Sequence, residues 1–223
     1  AALRAELPAG PILLGHTMND QAETVLLGLG RGSGPRSMAG MREFDPPWCR
    51  PLLAVQRDCT LAVCAELGLD SWQDPHNADP RFTRVRLRTE VLPLLEQVLS
   101  GGVAGALART AGQLREDLDL LEQLGTELRA AATCAPGGEH PPPGVVPAPS
   151  ELDVAVLARA PVALRRRALR GWLLESGARD LAEPQLRRAD ELLTDWHGQG
   201  AVQLSGGLEL SRTHGRLVLG PLG

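Results

Sequence analysis

Six kinds of side chain that can donate, accept or carry charge fall within nine positions, at His16, Asn19, Asp20, Gln21, Glu23 and Thr24. They stand between an apolar run, Pro11-Ile12-Leu13-Leu14, and a second one from Val25 to Leu29. Capping alone would account for Asp20-x-x-Glu23, which approximates a capping box, and would leave His16 as a loop residue. Capping does not call for all six residues together, so the cluster is read as a ligand site. Beyond it, Arg31-Gly32-Ser33-Gly34 places a guanidinium on a glycine-rich loop.

The elements that must position this cluster follow from the flanking pattern. Residues 11–15 predict a short buried strand, apolar without alternation as in parallel sheets. Asn19 or Asp20 is the expected cap of the next helix, and Gly28, Gly30, Gly32 and Gly34, followed by Pro35, are expected to end it. In open α/β sheets such a strand–helix junction is where ligands bind, and the first helical N–H groups are expected to be unpaired and to favour anions. Residues 1–9 read as the end of a helix that begins further upstream, in a chain that opens in mid-pattern without Met. Residues 48–53 predict an extended segment broken by Pro51. Asp58 is the expected cap of a helix from Cys59 to Leu67, and Asp70 to Gln73 a strand end running into the Asp74-Pro75 turn.

The 223 residues, 43% of them apolar, suffice for one large or two small domains. A net charge of −4 excludes a global cationic field, so any nucleic-acid contact must be local. All 23 basic residues are arginine, and lysine and tyrosine are absent, which reads as genome bias more than function. Cys49, Cys59, Cys64 and Cys134 form no C-x-x-C pair and have no histidine at a zinc-finger interval, so no metal ligand set is expected. With no signal peptide and no apolar run of bilayer length, a reduced, cytoplasmic, non-membrane protein is expected.

Arg81, Arg84, Arg86 and Arg88 lie within eight positions beside Phe82. On a helix Arg81, Arg84 and Arg88 share a face. Pairing with Asp79 and Glu90 is the ordinary use of such a stripe, and phosphate contact the functional one. Residues 103–134 predict a long amphipathic helix through Leu107, Ala111, Leu114, Leu118, Leu121 and Leu128. Residues 135–150 hold six prolines and three glycines and read as a linker. Beyond it, a helix around 161–175 carries Arg165, Arg166, Arg167 and Arg170. A second runs from Pro184 to Trp196, and strands follow near 201–204, 207–211 and 216–219. Ser205-Gly206-Gly207 superficially echoes a pyrophosphate loop, but its alternating flanks predict a Gly-Gly hairpin turn.

Taken in order, His16 to Thr24, Arg31 to Gly34, Arg50-Pro51-Leu52-Leu53, Asp74-Pro75-His76-Asn77, Phe82 to Arg88, Glu90 to Pro93 and Asp195 to Gly200 resemble the tRNA(Ile)-lysidine synthetase family of the N-type ATP pyrophosphatase (PP-loop) superfamily. The resemblance implies an α/β fold in three parts. Residues 1–100 would be the C-terminal part of a doubly wound parallel-sheet domain and 101–134 a connecting helix. After the linker, residues 151–223 would form a small α+β domain that binds tRNA. It also implies a ligase that adenylates the C2 oxygen of the wobble cytidine of CAU-anticodon tRNA(Ile) with ATP and Mg²⁺, then joins L-lysine to C2, releasing AMP. Asp20, with His16, Asn19 and Glu23, would be catalytic, Asp20 holding and deprotonating lysine. Gln21, Thr24, Arg31, Gly32, Ser33 and Gly34 would lie near ATP or substrate, and Arg84, Arg86, Arg88, Arg166 and Arg167 would contact tRNA. A homodimer stays open.

Three departures from the family pattern stand out: Asn19 where many members have Asp, Thr17 in place of a second His, and Val85 in place of Asn. The pyrophosphate loop, S-G-G-x-D-S, is expected to be missing together with its Mg²⁺-binding acid, leaving this stretch of chain unable to form the adenylate by itself. The alternatives are another PP-loop tRNA modifier, such as a cytidine thiolase, which would call for paired cysteines, and a non-enzymatic tRNA-binding fragment.

Overall fold

The computed structural model describes residues 10–32, 34–72, 74–134 and 151–222. The helix end at 1–9, Ser33, Gln73 and the linker at 135–150 lie outside them. The chain divides into two compact units, 1–118 and 119–223, and the division falls inside a long helix.

The first unit is built on a small sheet in the order β1-β3-β2. Strand β1 (Ile12–Leu13) pairs parallel with β3 (Trp48–Cys49), and β2 (Phe44–Asp45) pairs antiparallel with β3. Between β1 and β3 the chain crosses over through α1 (Met18–Arg31) and the short α2 (Pro35–Met38). The parallel pair matches the expected α/β architecture, but β1 is not buried. Among the described residues it is a sheet edge, and Leu13 is 68% exposed.

Helix α1 runs through Gly28 and Gly30 and ends only at Gly32, whose φ of +62° is the left-handed conformation that glycine adopts at no steric cost. Gly28 has a packing reason. A Cβ there would meet the Ser37 carbonyl oxygen at 1.9 Å, so the bare Cα lets α2 lie against α1. Ala22 and Val25 fill the buried face of α1.

Helix α3 (Arg57–Glu66) starts one residue before Asp58, with Gln56 as its cap residue. Asp70 to Trp72 are irregular rather than strand. Asp74 begins a single 3₁₀ turn, Pro75–Ala78, by accepting from the His76 backbone N–H at 2.9 Å. The arginine segment is helical: α4 (Thr83–Arg86) passes through a π turn, Leu87–Val91, into α5 (Leu92–Val98). Arg81 precedes it and pairs with Asp79.

Helix α6 (Val103–Ala132) has Glu96 as its cap, whose carboxylate accepts from the Val103 and Ala104 N–H groups at 3.0 Å each. Its buried positions Ala111, Leu118, Gly125 and Ala132 recur every seven residues, flanked by half-buried Leu107, Leu114, Leu121 and Leu128. The helix stops two residues short of the expected 134, because Thr133 and Cys134 form β4.

Among the described residues the second unit is an antiparallel sheet in the order β4-β5-β8-β7-β6, with the end of α6 and three further helices. The strands are β4, β5 (Glu151–Asp153), β6 (Val202–Leu204), β7 (Leu208–Thr213) and β8 (Arg216–Pro221). The helices are α7 (Val154–Ala158), α8 (Val162–Glu175) and α9 (Glu183–Thr194). Leu152, Leu157, Leu169, Leu173, Leu192, Leu210 and Leu217 are fully buried in one core with Trp172. Each leucine contributes roughly 1.5–3 kcal/mol of burial. Gly206 and Gly207, at φ +85° and +70°, make the β6–β7 turn, as the alternating flanks predict.

Among the described residues no single helix is long and apolar enough to cross a membrane.

Candidate active site

The first turns of α1 gather the chemistry. Thr17, not Asn19 or Asp20, is the cap residue, because the helix begins at Met18. Asp20 at the third helical position reaches back, and its Oδ2 accepts from both the Thr17 N–H and the Thr17 hydroxyl at 2.8 Å. The Met18 N–H is taken by the Val55 carbonyl at 2.9 Å. The expectation of unpaired helical N–H groups waiting for an anion is corrected at Met18, whose N–H the protein's own Val55 carbonyl holds, as Asp20 holds that of the cap residue Thr17.

The other oxygen of Asp20 faces two guanidiniums. Arg57 Nη2 donates to Oδ1 at 2.6 Å and Arg88 Nη2 at 3.1 Å. Arg57 is set in place by a second bond, since its backbone N–H donates to Asn19 Oδ1 at 2.9 Å. Burial works to raise the Asp20 pKa. The Thr17 N–H, the Thr17 hydroxyl and the Arg57 charge outweigh it and hold the carboxyl below its ordinary value.

One turn along α1, Glu23 is fully buried. Its Oε1 accepts from Arg88 Nε at 2.7 Å. Its Oε2 has no hydrogen-bond partner and lies 3.7 Å from Arg84 Nη1. A buried carboxylate oxygen without a donor is costly, offset here only by the nearby Arg84 charge. Arg84 also donates to the Thr24 hydroxyl at 3.3 Å, and that hydroxyl donates to the Asp20 carbonyl at 2.8 Å. Two carboxylates and three guanidiniums thus form one network. Beside it, Asn19, Arg57, Arg88, Leu92, Pro93, Glu96 and Ala104 line a cleft of ≈ 160 Å³.

The remaining expected residues divide. His16 Nδ1 accepts from Arg50 Nε at 3.3 Å, at the edge of the network. Gln21 is buried and holds the backbone of Met41 in both directions, at 2.9 and 2.7 Å, so it shapes the loop after α2. Arg31, Gly32 and Gly34 sit at the far end of α1, one helix length from Asp20. Arg86 pairs with Glu90, Arg88 turns inward to the two acids, and Arg84 is half exposed.

In the second unit the arginine cluster is internally engaged. Arg165 is buried against Asp190, and Arg166 Nε donates to the same carboxylate at 3.1 Å. Arg167 donates to the Ala163 carbonyl at 2.9 Å and lies 3.3 Å from Glu122.

Arg57 and Thr17 are the participants that residue pattern alone missed. Arg57 stands alone in sequence, 37 positions from its partner, with no local signal. For Thr17, a Thr three residues before Asp20 was legible as a capping box.

Among the described residues no group of three or more His, Cys, Asp or Glu is placed to hold a metal ion. With both acids paired to arginines, these residues do not fit a Mg²⁺ site.

Comparison with known proteins adds two domain matches. A PP-loop domain model matches residues 3–95 and a TilS substrate binding domain model matches residues 152–218. The expectation that the PP-loop part is lacking is thereby overturned: the domain is present, and the six residues of the first cluster lie inside it. The chain is 57% identical over 204 residues to a tRNA(Ile)-lysidine synthase of Mycobacterium bovis, covering 91% of this chain and 60% of that protein. It is 52% identical over 225 residues to the enzyme of that name from Rhodococcus erythropolis, covering 99% of this chain and 65% of that one. With the Nocardia farcinica protein of the same name it shares 54% over 224 residues, 98% of this chain and 66% of that one. The chain thus spans about three fifths to two thirds of the length of these relatives. Two domain matches on one chain, over an acid–arginine network built by the first, together with this level of identity, place the chain in the TilS family of tRNA(Ile)-lysidine synthases.

Proposed function

We propose that this chain belongs to an enzyme that joins L-lysine to C2 of the wobble cytidine in CAU-anticodon tRNA(Ile), at the cost of ATP converted to AMP and pyrophosphate. One observation carries the reading: a fully buried Glu23 with one oxygen lacking a donor, three residues from Asp20, on the helix inside the PP-loop match.

ATP as cosubstrate makes the C2 oxygen of cytidine a leaving group by adenylation. The lysine Nε then attacks C2, the bond from C2 to the adenylated oxygen breaks, and AMP departs. In this reading Asp20 and Glu23 hold the ε-ammonium in place of one guanidinium. A carboxylate with a lowered pKa is a weak base toward a free ammonium but a firm partner for it. The ε-ammonium must first release one proton to solvent, since only the neutral amine has the lone pair that attacks C2. Asp20 takes a second proton once the C–N bond has formed and the attached nitrogen is far more acidic. Arg57 and Asn19 keep Asp20 aimed, and His16 with Arg50 borders the same space. Arg84 and Arg86, both more than half exposed, are assigned to tRNA phosphates. No step is assigned to Mg²⁺ among the described residues. The reaction belongs in the cytoplasm, where its tRNA is.

The test is lysine incorporation into tRNA(Ile) transcripts by the full-length gene product and by its Glu23→Gln variant, with tRNA(Met) as control. Incorporation restricted to tRNA(Ile) and lost in the variant supports the reading. Binding of tRNA without any lysine transfer by the parent protein would replace it with the non-enzymatic binder.

A further inference from the structure

The Asp195-Trp196-His197-Gly198-Gln199-Gly200 stretch has no part in the reaction as described, yet it borders a groove of ≈ 410 Å³ in the second unit. One wall is a stripe on α9 and its end: Arg188, Glu191 and Asp195, spaced three and four apart and so on one face. The other charged residues of that helix are matched, Asp190 with Arg165 and Arg166, and Glu183 with Arg166 and Arg187. Among the described residues the side chains of Arg188, Glu191 and Asp195 have no partner.

The second wall is a fixed loop. The His197 N–H donates to Gln199 Oε1 at 2.9 Å, Gln199 Nε2 donates to the Asp195 carbonyl at 3.0 Å, and His197 Nδ1 lies 3.0 Å from that carbonyl. The last contact assigns the ring proton to Nδ1 and leaves Nε2 as an acceptor. The third wall is β6, the edge of the five-stranded sheet among the described residues, so one side of its backbone faces no strand.

The groove therefore offers three side-chain acceptors, one unpartnered cation and open backbone groups. It is not a phosphate trough, because two carboxylates outnumber one guanidinium. Its size suits one nucleoside, and acceptor-only carboxylates pair with the amino edge of a base and reject a base with a carbonyl there. The arginines of α8 that would be the obvious RNA contacts are spent on Asp190 and Glu122, while the substrate-binding match covers this whole groove.

We infer that the groove between α9, the Asp195–Gly200 loop and β6 takes one unstacked, amino-bearing nucleotide of the RNA substrate, with Glu191 and Asp195 on its base or ribose hydroxyls and Arg188 on its phosphate. The inference rests on the reading that this protein binds tRNA.

The experiment is fluorescence anisotropy of labelled tRNA(Ile) transcript with the full-length protein, comparing Arg188→Gln and the double variant Glu191→Gln/Asp195→Asn. None of these side chains has a structural partner, so melting temperatures are expected to match the parent. The double variant is expected to bind about tenfold more weakly with an unchanged salt slope, and Arg188→Gln to weaken binding and lower that slope by about one. Binding of both variants within about twofold of the parent overturns the groove while leaving the proposed reaction standing. Failure of the parent to bind tRNA overturns both. Loss of lysine transfer in Glu23→Gln with full tRNA binding separates the two sites.

Discussion

Arg57 reaches across 37 residues of chain to put a guanidinium nitrogen 2.6 Å from Asp20, while its own backbone N–H is held by Asn19, Asp20's neighbour in sequence. The start of α3 is thus fastened twice to the start of α1. One bond fixes backbone to side chain and the other charge to charge, so the residue that aims the carboxylate also adds to the Thr17 hydrogen bonds that keep it ionised.

Replacing Arg57 by Ala removes the charge and leaves the Asn19 bond to the backbone intact. Asp20 then keeps Thr17 and Arg88, so the fold is expected to lose only about 1–2 kcal/mol. The effect on lysine transfer is expected to be larger, about tenfold or more in kcat/KM for lysine, because aim is lost as well as charge. Arg57→Lys keeps the charge without the fork and is expected to restore part of it. Equal kcat/KM for all three proteins would remove Arg57 from the site.

Glu23→Gln tests the buried oxygen. The amide keeps the size and offers an N–H where a ligand donor is expected, turning acceptance into repulsion. It also leaves Arg88 with a neutral acceptor in a buried place. Transfer is expected to fall by about two orders of magnitude through KM for lysine, read by steady-state kinetics at several lysine concentrations. An unchanged KM with unchanged kcat would leave Glu23 a purely structural acid.

How much of this was legible in the sequence depends on distance along the chain. The Asp20–Glu23 pair, the helix behind it and the antiparallel hairpins after Val202 follow from local spacing and are found where the pattern puts them. The cap shifted to Thr17 because helix starts are decided by one hydrogen bond, which neighbouring Ser, Thr, Asn and Asp residues can equally supply. Arg88 read as a phosphate ligand, since charge on a helix face has no address until the facing helix is known. That facing acid is Glu23, 65 positions earlier. The exposed Leu13 shows the same limit: an unbroken apolar run predicts a buried strand, and burial is set by neighbours that the run does not name.

Gly28 and Gly30 make opposite predictions two residues apart. A Cβ at Gly28 would stand 1.9 Å from the Ser37 carbonyl oxygen, whereas at Gly30 nothing lies within 4 Å. Gly28→Ala is expected to destabilise by about 1–3 kcal/mol despite better helix propensity, as α2 must move away. Gly30→Ala is expected to stabilise by about 0.5–1 kcal/mol. Chemical denaturation of the two variants reads both signs, and a stabilising Gly28→Ala would contradict the close approach.

Asp20 makes the first unit sensitive to acid in a definite direction. Its pKa is lowered in the folded chain, so its contribution is complete above the unfolded value of 3.8 and is lost as pH falls through the folded one. Asp20→Asn accepts from Thr17 but is indifferent to pH. The stability difference between parent and variant is therefore expected to be flat near neutral pH and to shrink below pH about 4. Asp74, Asp79, Glu90 and Glu96 also have lowered values, but they are common to both proteins and cancel in the difference. A difference that grows on acidification would reverse the sign of the Arg57 and Thr17 interactions.

Asp190 holds the second unit together through charge that is out of water. Arg165 is 8% exposed and Asp190 4%, the two are joined by a pair of hydrogen bonds, and Arg166 adds a third. Removing only the acid leaves Arg165 buried, its Nη1 held by the Ala160 carbonyl at 3.0 Å and its Nε and Nη2 without partners. Asp190→Ala is therefore expected to cost about 3–5 kcal/mol, enough to unfold a marginal unit. Replacing the pair together, Arg165→Met with Asp190→Leu, fills the space with apolar atoms and is expected to recover most of that loss, leaving Arg166 to solvent and Glu183. Thermal melts of the single and double variants decide it. If the double variant is no more stable than Asp190→Ala, the cost lies in lost packing of α8 on α9 and not in the stranded charge.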